Sequence, residues 1–566
     1  MSTQDPGGRR PHDQQPEGFG EHNEEIFGPE PHIAPSTTED ERLLGYPTDR
    51  AAGRFDTEPE TRDLLYPYED EGGVTTTPGP AEPPTVVETD EDVVAARRPD
   101  DAPEMDVADD VDREGEIDYS PVPDETPAAA LERVEAALNA RWPQRIEPDL
   151  SRITDLMDLL GSPQRAYPSV HITGTNGKTS TTRMIDALLR ACNLRTGRTT
   201  SPHLESVVER IALDGEPVTS EQFARAYDDI APYLAMVDER HSQRMSYTEI
   251  LTAMAFAAFA DAPVDVGVIE VGMGGSWDAT NVIDAAVTVI TPISLDHMEW
   301  LGSTIEAIAT EKAGIVTAGS TLIAMRQPPE AAEVLGRRVA EVGAQIAREG
   351  VEFAVLARTV AVGGQVLTLQ GLAGVYEDVF LPLYGAHQAA NAAAALAAVE
   401  AFFGGERPLD IDMVRAGFAA ADSPGRLEVI RRDPTVLLDA AHNPAGAQAL
   451  ASAVRDSFTF ERLVGVVAVL ADKDVRGVLT ALEPVLDSVV ITANASPRAL
   501  SVDVLAALAR NVFGSDRVAV VPRLGDAIDR AVADARPSEG TGVLVTGSVV
   551  TVGEARTLLA SAPTGR

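Results

Sequence analysis

Between Pro127 and Gly161 the apolar residues recur at helical spacing. Ala130, Leu131, Val134, Ala137 and Leu138 share one face of PAAALERVEAALNARWP, and LSRITDLMDLLG repeats the pattern. Both segments predict amphipathic helices. The period then changes, because SVHITG is a short β-rich run closed by glycine and KTSTTRMIDALLRACN returns to a helical period directly after the loop. Further on, the apolar runs VDVGVIEVG and AAVTVITPIS alternate with the helical stretches YTEILTAMAFAAFAD and IEAIATEKAGIV. Apolar strands separated by helices predict a parallel sheet covered on both faces. After the alanine-rich helix HQAANAAAALAAVEAFF comes a proline and glycine break in AADSPGRLEVI. TVLLDAA, LVGVVAVL, SVVITAN, VAVVP and GVLVTGS then read as the strands of a second α/β unit.

The pattern divides the chain into residues 1–125, 126–424 and 425–566, with the boundary between the two folded parts near Pro424 and Gly425. Residues 1–125 hold 17 of the 39 prolines and show no sustained period. Such a segment buries too little apolar surface to offset its ordering entropy, and the expectation is a disordered acidic tail.

Charge sharpens that division. The chain of 566 residues has a formal net charge of -43, and residues 1–125 alone carry 35 acids against 9 bases. An acidic surface disfavours nucleic acid or an anionic membrane as partner, although a small anion can still bind at a local site. The single cysteine, Cys192, permits no internal disulfide and is expected to serve as core packing. No apolar run approaches membrane-spanning length or the core of a signal peptide, so the expectation is a soluble, cytoplasmic protein.

The candidate chemistry begins at HITGTNGKTS, residues 171–180. It resembles a phosphate loop that lacks the first glycine, since the position five before Gly177 is Ile172. Gly174 and Gly177 let backbone amides approach phosphate oxygens, the following helix presents its positive end, Lys178 adds a point charge and Thr179 offers a hydroxyl to Mg²⁺. Glu270 closes an apolar strand ahead of GMGGSWDATN. There it suits a metal ligand, and it suits equally an ordinary strand-end carboxylate beside a turn. His297 in DHMEWLG again follows a strand, so Thr/Lys, Glu and His end three successive strands at what should be one rim. A lone histidine is more often structural. Lys312 in EKAGI reads, by itself, as a solvated helix lysine.

Taken together, GTNGKTST, TSPHLESVVERI, IEVGMGGSWDATN, SLDHMEWLG, EKAGI, HQAANAAAALAA, PGRLEVI and LLDAAHNPAG resemble, in order, the Mur-ligase superfamily of ATP-dependent amide-forming enzymes. That family uses the short loop G-T-x-G-K-[ST], and its folylpolyglutamate synthase branch, often bifunctional with dihydrofolate synthase, is the nearer likeness. Only two helices precede the loop here, which argues against the peptidoglycan branch. The resemblance implies a P-loop ATPase domain built on a parallel sheet and a smaller Rossmann-like C-terminal domain. It implies that Gly174, Thr175, Asn176, Gly177, Lys178, Thr179 and Ser180 hold the triphosphate, with Thr179, Ser201 and Glu270 around a first Mg²⁺ and His297 at a second. Lys312 matches a lysine that the family carbamylates. Asn391 resembles an adenine contact, and Arg426, Asp439 and His442 resemble second-domain residues closing over ATP. Ser201, Pro202, His203, Leu204 and Asp296 match the substrate side.

The implied reaction activates a carboxylate of dihydropteroate or a reduced folate as an acyl phosphate, which the amine of L-glutamate attacks. A monomer is implied. Two departures bear on the acceptor: Thr248 stands where many relatives have an aromatic, with Tyr247 one place earlier, and Ser276-Trp277 replaces a pair that usually begins with Arg. A Mur-type ligase acting on a different carboxylate is the competing enzyme. A nucleotide-binding switch without catalysis is the competing class, and the joint presence of Lys178, Glu270, His297 and Lys312 speaks against it.

Overall fold

The computed structural model of the chain describes residues 125–141, 148–535 and 540–561; the expected acidic tail, up to residue 124, lies outside them. The first sheet consists of β1 (Ser169–Thr173), β2 (Thr196–Thr199), β3 (Ile211–Leu213), β4 (Glu216–Pro217), β5 (Val266–Glu270), β6 (Val287–Ile290), β7 (Thr321–Ala324) and β8 (Gln345–Arg348). Its order is β4-β3-β2-β5-β1-β6-β7-β8. The strands from β2 to β8 run parallel, while β3 and β4 form an antiparallel edge. Every residue of β1, β5 and β6 is buried, which is why those runs read as continuously apolar rather than alternating.

One face of this sheet packs against the helices Lys178–Ala191 and Ala386–Phe402, the other against Pro127–Asn139, Ser151–Leu159, Ser220–Arg240 and Tyr247–Asp261. In the helix Ala386–Phe402 the residues from Ala392 to Val399 are fully buried. Small side chains let it approach the sheet, the Lys178–Ala191 helix and a third layer at once. That third layer is an antiparallel sheet of β9 (Ala354–Ala361), β10 (Gly364–Gln370) and β11 (Val375–Leu381), which the hydrophobic pattern did not announce.

The second large sheet contains β12 (Glu428–Arg432), β13 (Thr435–Asp439), β14 (Arg462–Val467), β15 (Ser488–Ala493), β16 (Val518–Arg523) and β17 (Thr541–Thr546), in the order β12-β13-β17-β14-β15-β16. Five of them coincide with the expected strands and run parallel; β12 is an added antiparallel edge. Separate hydrophobic clusters cover its two faces. Cys192 departs from expectation: it sits half-buried at the C-terminal end of the Lys178–Ala191 helix, because the helix leaves the core there. Among the described residues no helix is long and apolar enough to cross a membrane.

Topology decides where a ligand can bind. The crossover after β1 leads to β2 on one side and the one after β6 leads to β7 on the other, so the winding reverses between two hydrogen-bonded neighbours. Open α/β sheets present their ligand crevice at that point, beyond the carboxyl ends of the strands.

Candidate active site

The phosphate loop lies at that reversal point. Gly174 has φ 144° and a Cβ there would fall 1.9 Å from Thr291 Oγ1; Gly177 has φ 94° and its Cβ would meet Asn391 Oδ1 at 2.7 Å. Neither position admits a side chain without strain or displacement. The amides of Thr175 and Asn176 both point to the Pro292 carbonyl, at 3.1 and 3.4 Å, and Thr175 Oγ1 donates to the Ser294 carbonyl at 3.0 Å. These two residues therefore brace the loop against the strand-end segment that follows β6. The amides available to an anion are those opening the helix Lys178–Ala191, which have no intrahelical acceptor.

Lys178 is held over the loop by the Gly174 and Thr175 carbonyls at 3.1 and 3.2 Å. Burial pushes its ammonium below the usual lysine range, against the pull of Glu270 and Asp296. Glu270, at the end of β5, accepts from Thr179 Oγ1 at 2.8 Å and from the Ser201 amide at 3.3 Å. It is 2% exposed, and that burial raises its carboxyl above the ordinary range despite Lys178 and the hydrogen bond from Thr179. Thr179, Glu270 and Ser201 thus form one connected group.

Lys312 is buried, with 4% exposure, so the solvated-helix reading does not hold. The segment after Glu270 lies over its helix Ile305–Ala313: the Ser276 amide and hydroxyl both donate to the Glu311 carbonyl at 3.0 Å, and the Trp277 amide reaches Glu311 Oε1 at 3.3 Å. Desolvation first, and the charge of Lys178 second, bring Lys312 down to about 7, opposed by Asp296, Asp278 and Glu311. His297 begins the short helix Met298–Leu301 in the left-handed region at φ 51° and keeps its outer side in solvent.

Asp296 connects the two sheets. Its Oδ1 accepts from Lys473 Nζ at 2.6 Å, and its Oδ2 from Asn443 Nδ2 at 3.0 Å with His442 Nε2 at 3.4 Å. Burial alone would raise this carboxyl, but the hydrogen bond from His442 and the charges of His297, Lys473 and His442 leave it well below the usual range. Asn443 also exchanges hydrogen bonds with Asn176 of the phosphate loop, at 3.0 and 3.2 Å, while capping the helix Pro444–Ser457. The second sheet therefore touches the loop directly.

Asn391 lies beside Gly177 and donates to Gln388, which donates in turn to Ser180. Arg426 is half-buried near Asp439, whose carboxylate receives the amides of Leu427 and Ala441 and so shapes the turn after β13. Pro202 is exposed, and His203 Nδ1 accepts from Arg210 Nε at 2.9 Å. Leu204 does not join the group: it packs on the hydrophobic core of the second sheet. Lys473, Asn443 and Arg210 were not singled out from sequence. Only the run ADKD, charged residues directly beyond an apolar strand, hinted at the first.

The sequence matches two family models, the Mur ligase middle domain over residues 172–399 and the Mur ligase glutamate ligase domain over 425–549. A dihydrofolate synthase/folylpolyglutamate synthase of Mycobacterium tuberculosis is 57% identical over 470 residues, covering 78% of this chain and 96% of the relative. The chain belongs to the folylpolyglutamate synthase family of Mur ligases. Among solved members, M. tuberculosis folylpolyglutamate synthase complexed with ADP superposes with a TM-score of 0.75 at 58% identity, covering 77% of this chain and all of that one. Escherichia coli FolC in complex with DHPP and ADP gives a TM-score of 0.68 at 30% identity over 77% of this chain and 99% of that one. The chain is thus a Mur-type ligase in fold and in sequence, with residues 1–171 preceding the two matched regions.

Proposed function

We propose that the protein is an ATP-dependent ligase that joins L-glutamate to the carboxylate of a folate-type acceptor, dihydropteroate or a reduced folate. The observation that carries this reading is the convergence of a phosphate-loop helix, the buried Thr179–Glu270–Ser201 group and the buried Lys312 in a crevice that residues of a second sheet close. The M. tuberculosis and E. coli relatives, with the ligands named for them, support the same substrates. An acceptor carboxylate oxygen attacks the γ-phosphorus of ATP and ADP leaves. The glutamate amine then attacks the acyl carbon, inorganic phosphate leaves, and the amine proton passes to solvent.

In this scheme Lys178 and the first amides of its helix take the phosphoryl oxygens, where preorganised donors act on charge that builds in the transition state. Asn443, His442 and Lys473 hold the second sheet against Asp296 and exclude water from the acyl phosphate. Magnesium, when bound, supplies positive charge to the phosphoryl oxygens. The residues fit it: Thr179, Ser201 and Glu270 offer the few oxygen ligands a magnesium ion takes beside phosphate and water, and His297 opens on the same rim. Among the described residues no three His, Cys, Asp or Glu side chains gather into a cage.

Lys312 matches the lysine that the family carbamylates, and its buried environment suits the modification, since only an uncharged amine attacks CO₂. One chain carries every group named, consistent with a monomer whose partners are small molecules. The test is a product assay: purified protein with ATP and L-glutamate, offered dihydropteroate and tetrahydrofolate side by side. Formation of neither amide product, with hydrolysis triggered by another carboxylate, would assign the chain to a different acceptor.

A further inference from the structure

Arg210 lies at the inner end of the segment that follows β2, and its guanidinium is only partly paired. Its Nε donates to His203 Nδ1 at 2.9 Å and one Nη to Ser201 Oγ at 3.3 Å, while the carbon of the fork sits 5.5 Å from the centroid of the Tyr247 ring. It forms no ion pair with any carboxylate among the described residues. The adjacent Glu209 is turned away, receiving the amides of Leu204, Glu205 and Ser206 at 2.8 Å each. Glu270 is occupied by Thr179 and the Ser201 amide. A guanidinium cannot shed its proton, and one half-buried with part of its fork unpaired is set to take an anionic ligand. Burial pulls even this arginine downward, with Tyr247, Glu270 and Glu209 opposing.

The position says which anion. From the phosphate helix the hydrogen bonds run Thr179 to Glu270, Glu270 to Ser201 and Ser201 to Arg210, so the fork sits across the Ser201 hydroxyl from the site of phosphoryl transfer. A carboxylate bridging Arg210 and Ser201 presents an oxygen toward that site. Tyr247, whose ring the guanidinium overlies, is buried and fixes the fork's plane.

We propose that Arg210 binds and orients the acceptor carboxylate that becomes phosphorylated, with Tyr247 as its platform. This rests on the ligase reading above and adds to it the group that receives the acceptor. A fork fixed by a histidine, a serine and an aromatic face pairs with two carboxylate oxygens, which a lysine in its place cannot do.

The test uses the full chain, with ADP release and amide product both followed. Arg210→Met should raise the KM for the acceptor, or lower kcat, by at least about tenfold, the scale of a charge-assisted hydrogen-bond pair, and leave the KM for ATP within about twofold. Arg210→Lys should show the same split in smaller measure, which keeps the proposal open to refutation if the methionine variant fails to fold. An ATP KM that moves with the acceptor KM, an effect confined to the KM for L-glutamate, or acceptor kinetics unchanged in either folded variant would each overturn the assignment. A wild-type protein that ligates neither folate acceptor would count against the function reading instead.

Discussion

Burial draws two lysines of one site below the ordinary lysine range. Lys178 is laid against its own loop carbonyls at the helix start proposed for the phosphate, so Lys178→Ala should lower kcat by about 10²–10³ with the thermal transition preserved. A stopped or continuous ADP-release assay reads this directly. Lys312 is brought down to about 7 by burial and the charge of Lys178. A lysine whose folded value lies below its unfolded value of about 10.4 burdens the fold below pH 7, and the burden lifts as pH rises from 7 toward 10.4. In CO₂-free buffer, Lys312→Met should therefore be more stable than the wild type at pH 6, and the gap should narrow to less than half by pH 9. Equal gaps at both values would mean the ammonium is not confined. Under ordinary air Lys312→Ala should be strongly impaired in activity and partly restored by added formate or acetate, whose carboxylate takes the vacated space. The burial of Lys312 was hidden in the sequence, where it is one cation near the end of an otherwise regular helix. It is buried because Ser276 and Trp277, more than thirty residues earlier, hydrogen-bond to Glu311 and lie over that helix.

Elements were more legible than their contacts. The strands β1, β5 and β6 are buried on both faces, so their apolar runs stand out, and the glycines between β1 and its helix mark the loop. The sheet of β9, β10 and β11 escaped because its first strand turns most of its residues to solvent or to partial cover, leaving no alternation to read. Asn443 and Lys473 escaped for another reason: Lys473 meets Asp296 across 177 positions and Asn443 meets Asn176 across 267, distances over which no local period carries information. The loop itself is the element most exposed to a single change. At Gly177, φ 94° together with Asn391 2.7 Å from a new Cβ leaves alanine strained and crowded. Gly177→Ala should weaken ADP binding by about tenfold or more, through displacement of Asn391 and of the helix start. An ADP titration by calorimetry, with unchanged affinity in a folded variant, would show that the loop tolerates the shift.

At the scale of the whole molecule, the buried Asp296–Lys473 pair and the Asn443–Asn176 exchange tie the second sheet to the phosphate loop, and a second tie joins Arg556 to Glu205 and Glu428 farther out. The two ties differ in burial: the side chains of Asp296 and Lys473 are 8% and 7% exposed, whereas Arg556 and Glu205 are each 29% exposed. Removing one partner of a buried pair costs about 3–5 kcal/mol, because the other charge stays behind, while an exposed pair is worth about 1 kcal/mol or less. His442 and Asn443 still face Asp296 when Lys473 is lost, so the penalty should fall toward the lower figure. The depressed Asp296 carboxyl contributes stability that is fully present above the ordinary aspartate value of about 3.9 and is lost only as pH falls below it, so the interlock is intact at neutral pH. Lys473→Met should then open the crevice at neutral pH and let water compete with L-glutamate for the acyl phosphate. The readout is the ratio of ADP released to amide formed, expected to rise well above the wild-type value in Lys473→Met and to stay near it in Arg556→Ala. A ratio unchanged in a folded Lys473→Met variant would mean that the Lys473–Asp296 pair does not guard the intermediate, and that the contacts of His442 and Asn443 suffice for closure.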